Sequence, residues 1–416
     1  MTTPTPFPSG GRRRMTMAAL LLASTLTVMA GTVLTPVVAT IRDDLNVSGT
    51  AAGLILTAHG LSLAIVSPLV GWTIDKWGLR TPMVAGLMLY GLAGGAGLFT
   101  DSYVTLIASR FLFGIGAAAV FTGTTVALMA LFQGAERDKV AGWRSTAIGL
   151  GGVIWPLIAG GLAILSWHGP FAIYLIGIPT AVAMLIAMPN LPAAGRVKGG
   201  GMITLLRSTP QLLGLYGLSV IASFLLYVLI VFLPQRFDQL GVDAPFTIAA
   251  IISSISLAGS VSGFFYGRMR AHLGYLPLIR TALVLWGLAF LVGAFANQTA
   301  VLAIAAVLFG AGSGISVPAL AMLTGETSPT EMRGQALALS GTANFGGQFA
   351  APVVIGPLVE ATSLTTGFLT AAALSGLVLL VLFFVKLGPT APPDPAPRET
   401  GEEERKEQER SQGPAT

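Results

Sequence analysis

Long apolar runs alternate with short breaks of charged, glycine or proline residues along the whole chain, a pattern of membrane spans rather than amphipathic helices around a soluble core. The runs fall near 17–41, 51–74, 82–99, 103–132, 142–165, 170–188, 211–233, 246–267, 277–296, 299–323, 335–359 and 364–385. Each comes near or exceeds the roughly 20 apolar residues that cross a bilayer as a helix. The longest internal break, 189–210, is rich in Pro and Gly and divides the spans six and six. The expected organisation is an N-terminal tail (1–16), a six-helix bundle (17–188), a central loop (189–210), a second six-helix bundle (211–386) and a C-terminal tail (387–416). The fold class is therefore all-α integral membrane, twelve transmembrane helices in two bundles. The tail is nearly free of apolar residues and reads as disordered.

Composition sharpens this picture. Charged residues make up 10% and hydrophobic residues 53% of the 416, whereas a soluble domain carries roughly 25% charge. There is no cysteine, which excludes disulfides, thiolate nucleophiles and cysteine-ligated metals. The net charge of +5 hides an acidic tail, because the body before residue 387 holds 19 bases against 11 acids. With both termini and every even-numbered loop inside, 20 of the 23 basic residues lie on the inner side. Arg42 and Arg236 fall outside and Arg110 within the fourth span. The basic excess thus reads as topology, with no nucleic-acid partner, and the location as the cell membrane with both termini cytoplasmic. Arg12–Arg14 before an apolar run imitates a leader, but the run continues to Ile41 and reads as span 1.

An internal repeat appears at an offset of 196. Leu112-Phe113-Gly114-x-Gly116 in span 4 recurs as Leu308-Phe309-Gly310-x-Gly312 in span 10, Arg137 maps onto Arg333, and Pro156 onto Pro352. At an offset of 195, Leu45-Asn46-Val47 pairs with Leu240-Gly241-Val242. Six spans per copy put both copies in one orientation, leaving a seam about which two bundles can rock.

The loop after span 2 contains Gly71, Asp75, Lys76, Gly78 and Arg80. Gly78 suits a tight reversal, Gly71 stands one turn before Asp75 for close packing, and Asp75 is an anion at the membrane edge. This run resembles the signature G-x-L-A-D-[RK]-x-G-x-[RK] of the major facilitator superfamily, departing at Thr73 and Ile74. A degenerate copy follows span 8 as Gly263 to Arg268 with Gly274 beyond, where Gly267 replaces the acid. That copy is equally readable as a tight inner loop.

In span 4, Arg110 precedes Gly114 by one turn and Gly116 follows. A charge inside a span is costly and marks a functional hypothesis. The run is similar to the superfamily's span-4 signature, whose arginine is associated with proton coupling or gating. Two other readings stay open for Arg110: reaching an interface, or pairing with Asp101. In span 5, Gly149, Gly152, Pro156 and Gly160 form one small-residue face. With Trp155 it resembles the G-P-x-x-G-G run of the superfamily's exporters, although Trp155 and Ala159 stand where glycines would be. Trp167, His168, Phe171 and Pro179 resemble the exporters' W-R-x-x-F and following proline, with His168 in place of arginine.

Candidate cavity groups are Tyr227 in span 7 and Asn344 and Gln348, one turn apart on span 11; these two are as readable as helix glue as they are as cavity lining. Ser253, Ser254 and Ser256 read as interhelical hydrogen-bonding groups. His59, within span 2, is the intramembrane titratable candidate for coupling, with helix glue as its alternative. Spans 1 and 4 carry no carboxylate, unlike many drug:proton antiporters of the multidrug efflux branch that the chain most resembles. The resemblance implies a secondary active transporter, not an enzyme, exporting small lipophilic compounds in exchange for protons. A largely uncharged cavity suits apolar or weakly cationic substrates. A proton-coupled metabolite uptake symporter and a non-transporting receptor-like protein are the alternatives. No cofactor and no metal are expected, and the expected unit is a monomer in the lipid bilayer.

Overall fold

The computed structural model describes residues 11–132, 134–189, 202–329 and 332–385. The outer parts of both tails and residues 190–201 of the central loop lie outside this set. All regular elements among the described residues are helices. The first span is α1 (Gly11–Thr32) and α2 (Val38–Asp44), joined by a 3-10 turn at Thr35–Val37 where Pro36 has no N–H to donate. Spans 2 to 5 are α3 (Gly49–Trp77), α4 (Arg80–Gly95), α5 (Tyr103–Leu131) and α6 (Gly134–Ala163). The sixth begins as a 3-10 stretch, Gly169–Ile176, and continues as α7 (Gly177–Ala187). A short helix, α8 (Met202–Ser208), precedes α9 (Gln211–Gln239), α10 (Pro245–Leu273), α11 (Tyr275–Phe295), α12 (Thr299–Thr327), α13 (Arg333–Ala361) and α14 (Leu364–Phe384). α8 occupies part of the expected break: Leu205 is fully buried and anchors the end of the loop.

Eleven spans among the described residues are long and apolar enough to cross a membrane on their own. α13 is as long but carries Asn344, Gln348 and several glycines. It packs against α3 and α9, so its polar groups meet protein instead of lipid.

The repeat is geometric as well as textual. Gly78 (φ +77°) ends α3 and Gly274 (φ +75°) ends α10, and both turns need the left-handed backbone that glycine accepts. At the far ends of α2 and α9, Asn46 (φ +49°) and Gly241 (φ +69°) close the helices identically. Val47 N–H donates to the Arg42 carbonyl and Val242 N–H to that of Phe237, each at 3.0 Å. A Cβ added at Gly114 would sit 2.9 Å from His59 Cα on α3, and one at Gly310 would sit 2.9 Å from Ile255 Cα on α10. Gly116 likewise lies against Tyr90 and Gly86 of α4, and Gly312 against their repeat mates Trp286 and Ala282 of α11. Small residues therefore set each span-4 helix hard against two neighbours, twice over.

The halves meet along α3 with α13 and α6 with α10. Toward the end away from the termini the seam is shut. Met29–Val38, Ile55–Gly60 and Tyr227–Gln235 are continuous buried runs, so those helices are enclosed all round there. Toward the end bearing the termini, α3 exposes Ile65, Leu69 and Trp72, and Ala336 is the buried residue among the first fourteen of α13. Contact thins to Phe121 on α5, edge-on to Phe345 on α13 at 5.3 Å.

Gly310→Val should destabilise the protein by about 1–3 kcal/mol, because its side chain must enter the α10 backbone. Gly267→Ala meets nothing within 4 Å and should leave stability equal or slightly higher. Thermal unfolding in detergent checks both.

Candidate functional site

Two groups of polar side chains lie at membrane depth, one inside the first bundle and one on the seam. The first is built on Arg110, seven residues into α5 and 1% exposed. Its Nη2 donates to the carbonyls of Gly94 (2.7 Å) and Ala93 (3.3 Å) at the end of α4. Its guanidinium carbon stands 4.8 Å from the Phe113 ring, 5.2 Å from Phe171 and 5.1 Å from Tyr174. Three π faces and two carbonyls thus replace a counter-ion. Nε and Nη1 are buried without partners, as is the Tyr174 hydroxyl. His59, 2% exposed, lies edge-on to Phe113 at 5.7 Å, and its Nδ1 is also unpartnered. Gly114 brings the two together by admitting the α3 backbone.

Pairing of Arg110 with Asp101 is not what forms. Asp101 lies at the helix mouth, with Oδ1 2.9 Å from His168 Nε2, while Arg110 turns toward α4. His168 stacks on Trp167, whose indole N–H donates to Asp44 at 2.9 Å. Tyr90 and Tyr174 complete the wall around Arg110, and the Tyr90 hydroxyl donates to the Leu26 carbonyl at 2.7 Å. No local sequence pattern marks these two tyrosines. A buried cation without a nearby acid requires π or carbonyl partners, and that requirement was the available signal.

The seam carries the other candidates. Gly149, Gly152 and Gly160 of α6 face Ser260, Ser256 and Ala249 of α10, so the small-residue face packs across the halves. Pro156 lies within α6 as its repeat mate Pro352 lies within α13. Trp155 is partly buried with an unpartnered indole N–H. The Tyr227 hydroxyl fills the space left by Gly31 on α1. Asn344 accepts from Ser223 of α9 and, at 3.3 Å, from Gln348, whose Oε1 is buried and unpartnered beside Gly60. Ser253 bridges to the Val153 carbonyl at 3.0 Å, whereas Ser254 bonds within its own helix.

The loop after α3 is a third, separate place. Lys76 lies over Trp72 (5.0 Å) and Trp77 (5.9 Å), and Arg80 donates to the Leu185 carbonyl, tying α4 to α7. The Asp75 backbone ends α3, and its side chain lies outside the described set. The close packing expected at Gly71 does not occur. A Cβ there would meet nothing within 4 Å, because α3 has left α13 at that depth.

Arg144 was counted with the inner-flank bases, yet it lies inside the apolar stretch Lys139–Ala163. At the shut end, Arg42 joins Asp43 and, across the halves, Asp238 at 2.9 Å. Glu360 accepts from the Thr50 N–H at 2.9 Å, again across the halves.

Residues 20–278 and 215–413 match the sequence profile of the Major Facilitator Superfamily, covering well over half of the chain. The chain belongs to the major facilitator superfamily. Within it, Multidrug resistance protein 1 of Bacillus subtilis (strain 168) is 26% identical over 308 residues, 72% of this chain and 78% of that one. The Probable galactarate/D-glucarate transporter GudP of the same organism is 23% identical over 395 residues, 84% and 86% of the two chains. The crystal structure of the nucleoside transporter NupG, solved as a point mutant, superposes with a TM-score of 0.73 over 89% of this chain and 99% of that one, at 14% identity. These likenesses agree with the two six-helix bundles of the superfamily fold, and the chain is a transporter of that superfamily with multidrug efflux relatives.

The bonds from Thr50 hold the Glu360 carboxyl below its ordinary value. Its contribution to the closed seam is full at neutral pH and is lost as pH falls through that lowered value. Glu360→Ala should therefore unfold at a lower temperature than the parent at pH 7, with the difference narrowing at acid pH as the carboxyl becomes protonated. Calorimetry at the two pH values checks this.

Proposed function

We propose that this transporter exports small lipophilic compounds by alternating access, driven by proton antiport. The observation that carries the reading is the seam between two repeat-related bundles, shut at one end and parted toward the other. Its glycine-lined contacts interlock few side chains, so rocking breaks few polar bonds, those of Ser253 with the Val153 carbonyl and Arg42 with Asp238 among them. Similarity to Multidrug resistance protein 1 over most of both chains supports efflux. The bias of basic residues supports a cytoplasmic position for the parted end and both termini in a cell-membrane protein. The bundles 17–188 and 211–386 are then the moving units of a monomer, and substrate enters from the inner side.

Arg110 and His59 are the coupling pair in this reading. Among the described residues, no carboxylate pairs with Arg110, and His59 is the titratable group beside it. Asp75, Lys76 and Arg80 form the inner gate, with the Gly152–Gly160 face and Tyr227, Asn344 and Gln348 along the path. Arg110→Ala and His59→Gln should each lower ΔpH-driven flux about tenfold or more, with the protein still inserted and folded. Full flux in either variant removes that residue from the coupling role. In whole cells, expression should lower accumulation of a dye substrate, and an uncoupler should abolish the difference.

The seam offers a direct test of movement, because the chain has no native cysteine. A Cβ at Gly149 would lie 3.8 Å from Ser260 Cβ, the spacing of a disulfide. The double variant Gly149→Cys, Ser260→Cys should cross-link on oxidation, stop transport, and regain it on reduction. Transport unaffected by a complete cross-link would exclude rocking about this seam. The second reading, uptake of a metabolite, rests on the similarity to GudP, and the sign of the cell-accumulation change separates the two.

A further inference from the structure

Arg144 is a further cation inside an apolar helix, with no ion partner among the described residues. It stands ten residues into α6 from its terminal end and five inside the apolar stretch. Its Nη2 donates to the hydroxyls of Thr124 (3.4 Å) and Thr125 (3.2 Å) on α5, and its Nε is buried without a partner. Both threonine hydroxyls in turn donate to the Phe121 carbonyl, at 3.1 and 3.0 Å. The guanidinium is thereby held one turn from Phe121, the residue that meets Phe345 of the other half.

Among the described residues no carboxylate lies within ion-pair distance of Arg144. Glu136, on the same helix, is taken by Arg13. The side chain is partly exposed, unlike Arg110, which is walled in by three rings. The repeat puts Ser340 in the matching place, so packing of the bundle does not require a cation there.

A guanidinium inside an apolar stretch, with a donor to spare and threonines that only orient it, is suited to an anion. We propose that Arg144 is the recognition group for the substrate, and that the substrate class is lipophilic organic anions. The aromatic body lies against Phe121 and Phe345, and its carboxylate or sulfonate takes the free donors of Arg144. The guanidinium repels cations from the same place, which replaces the weakly cationic substrates expected from composition. This inference rests on the transport reading above, since it names what that seam carries.

The test uses the full chain in phosphatidylcholine nanodiscs and two probes with one ring skeleton. 8-Anilinonaphthalene-1-sulfonate carries the anion, and N-phenyl-1-naphthylamine lacks it. Equilibrium binding, corrected with empty discs, should favour the sulfonate about tenfold in the parent. Arg144→Gln should erase that preference while leaving the neutral probe unchanged, and Arg144→Lys should restore part of it. Equal affinity for both probes in the parent, or an undiminished sulfonate preference in Arg144→Gln, overturns the proposal. Loss of the preference in phosphatidylglycerol discs also overturns it, by giving Arg144 to a lipid headgroup. An intact binding preference without ΔpH-driven flux in proteoliposomes would defeat the transport reading alone.

Discussion

Close approach of helix backbones at Gly114 and Gly310 is the constraint on which the architecture hangs. In lipid there is no hydrophobic drive to press helices together, so association depends on packing, and packing tightens where side chains are absent. At each of these glycines the span-4 helix lies directly on a neighbour's backbone, and two residues later a second glycine admits another. Each bundle is thereby locked about one central helix. The seam between bundles is made the same way from Gly149, Gly152 and Gly160, but with serines opposite, and it can part where the bundle interiors cannot.

On this symmetric scaffold the chemistry is one-sided. His59, Arg110 and Arg144 of the first half correspond to Ile255, Ala306 and Ser340 of the second. The second half builds the same helix arrangement with none of the three groups at those places. Burying Arg110 costs free energy that carbonyls and rings offset only in part, since two of its nitrogens have no acceptor. Such a cost persists when the group does something beyond holding the bundle.

Much of the fold was legible because lipid leaves a chain few choices: every backbone bond must close within a helix, and apolar length then counts the spans. Pro36 and Gly169–Ile176 were not legible as 3-10 breaks, since both lie within apolar runs. The glycine pairs announced a close approach but not the partner, which depends on bundle topology. Ser223 and Asn344 meet although they are 121 residues apart, and no local pattern links them. Arg144 was missed for a simpler reason. Counting bases by side assigns it to topology, and its threonine partners show that its side chain turns onto α5. Gly71 is the reverse case: a small residue suggests contact, and none is made there.

The shut end of the molecule is held by ions at a watery surface. Arg42 and Asp238 are part-exposed, with side chains 22% and 46% accessible. Such a bond is worth little on its own, and its field decays over about 8–10 Å at physiological salt. Mobile ions at that surface can therefore weaken this cross-half bond without touching the helices packed beneath it. The one end of the seam that carries this ion pair is thus the end whose closure depends on the salt around it, through a single arginine at the tip of α2.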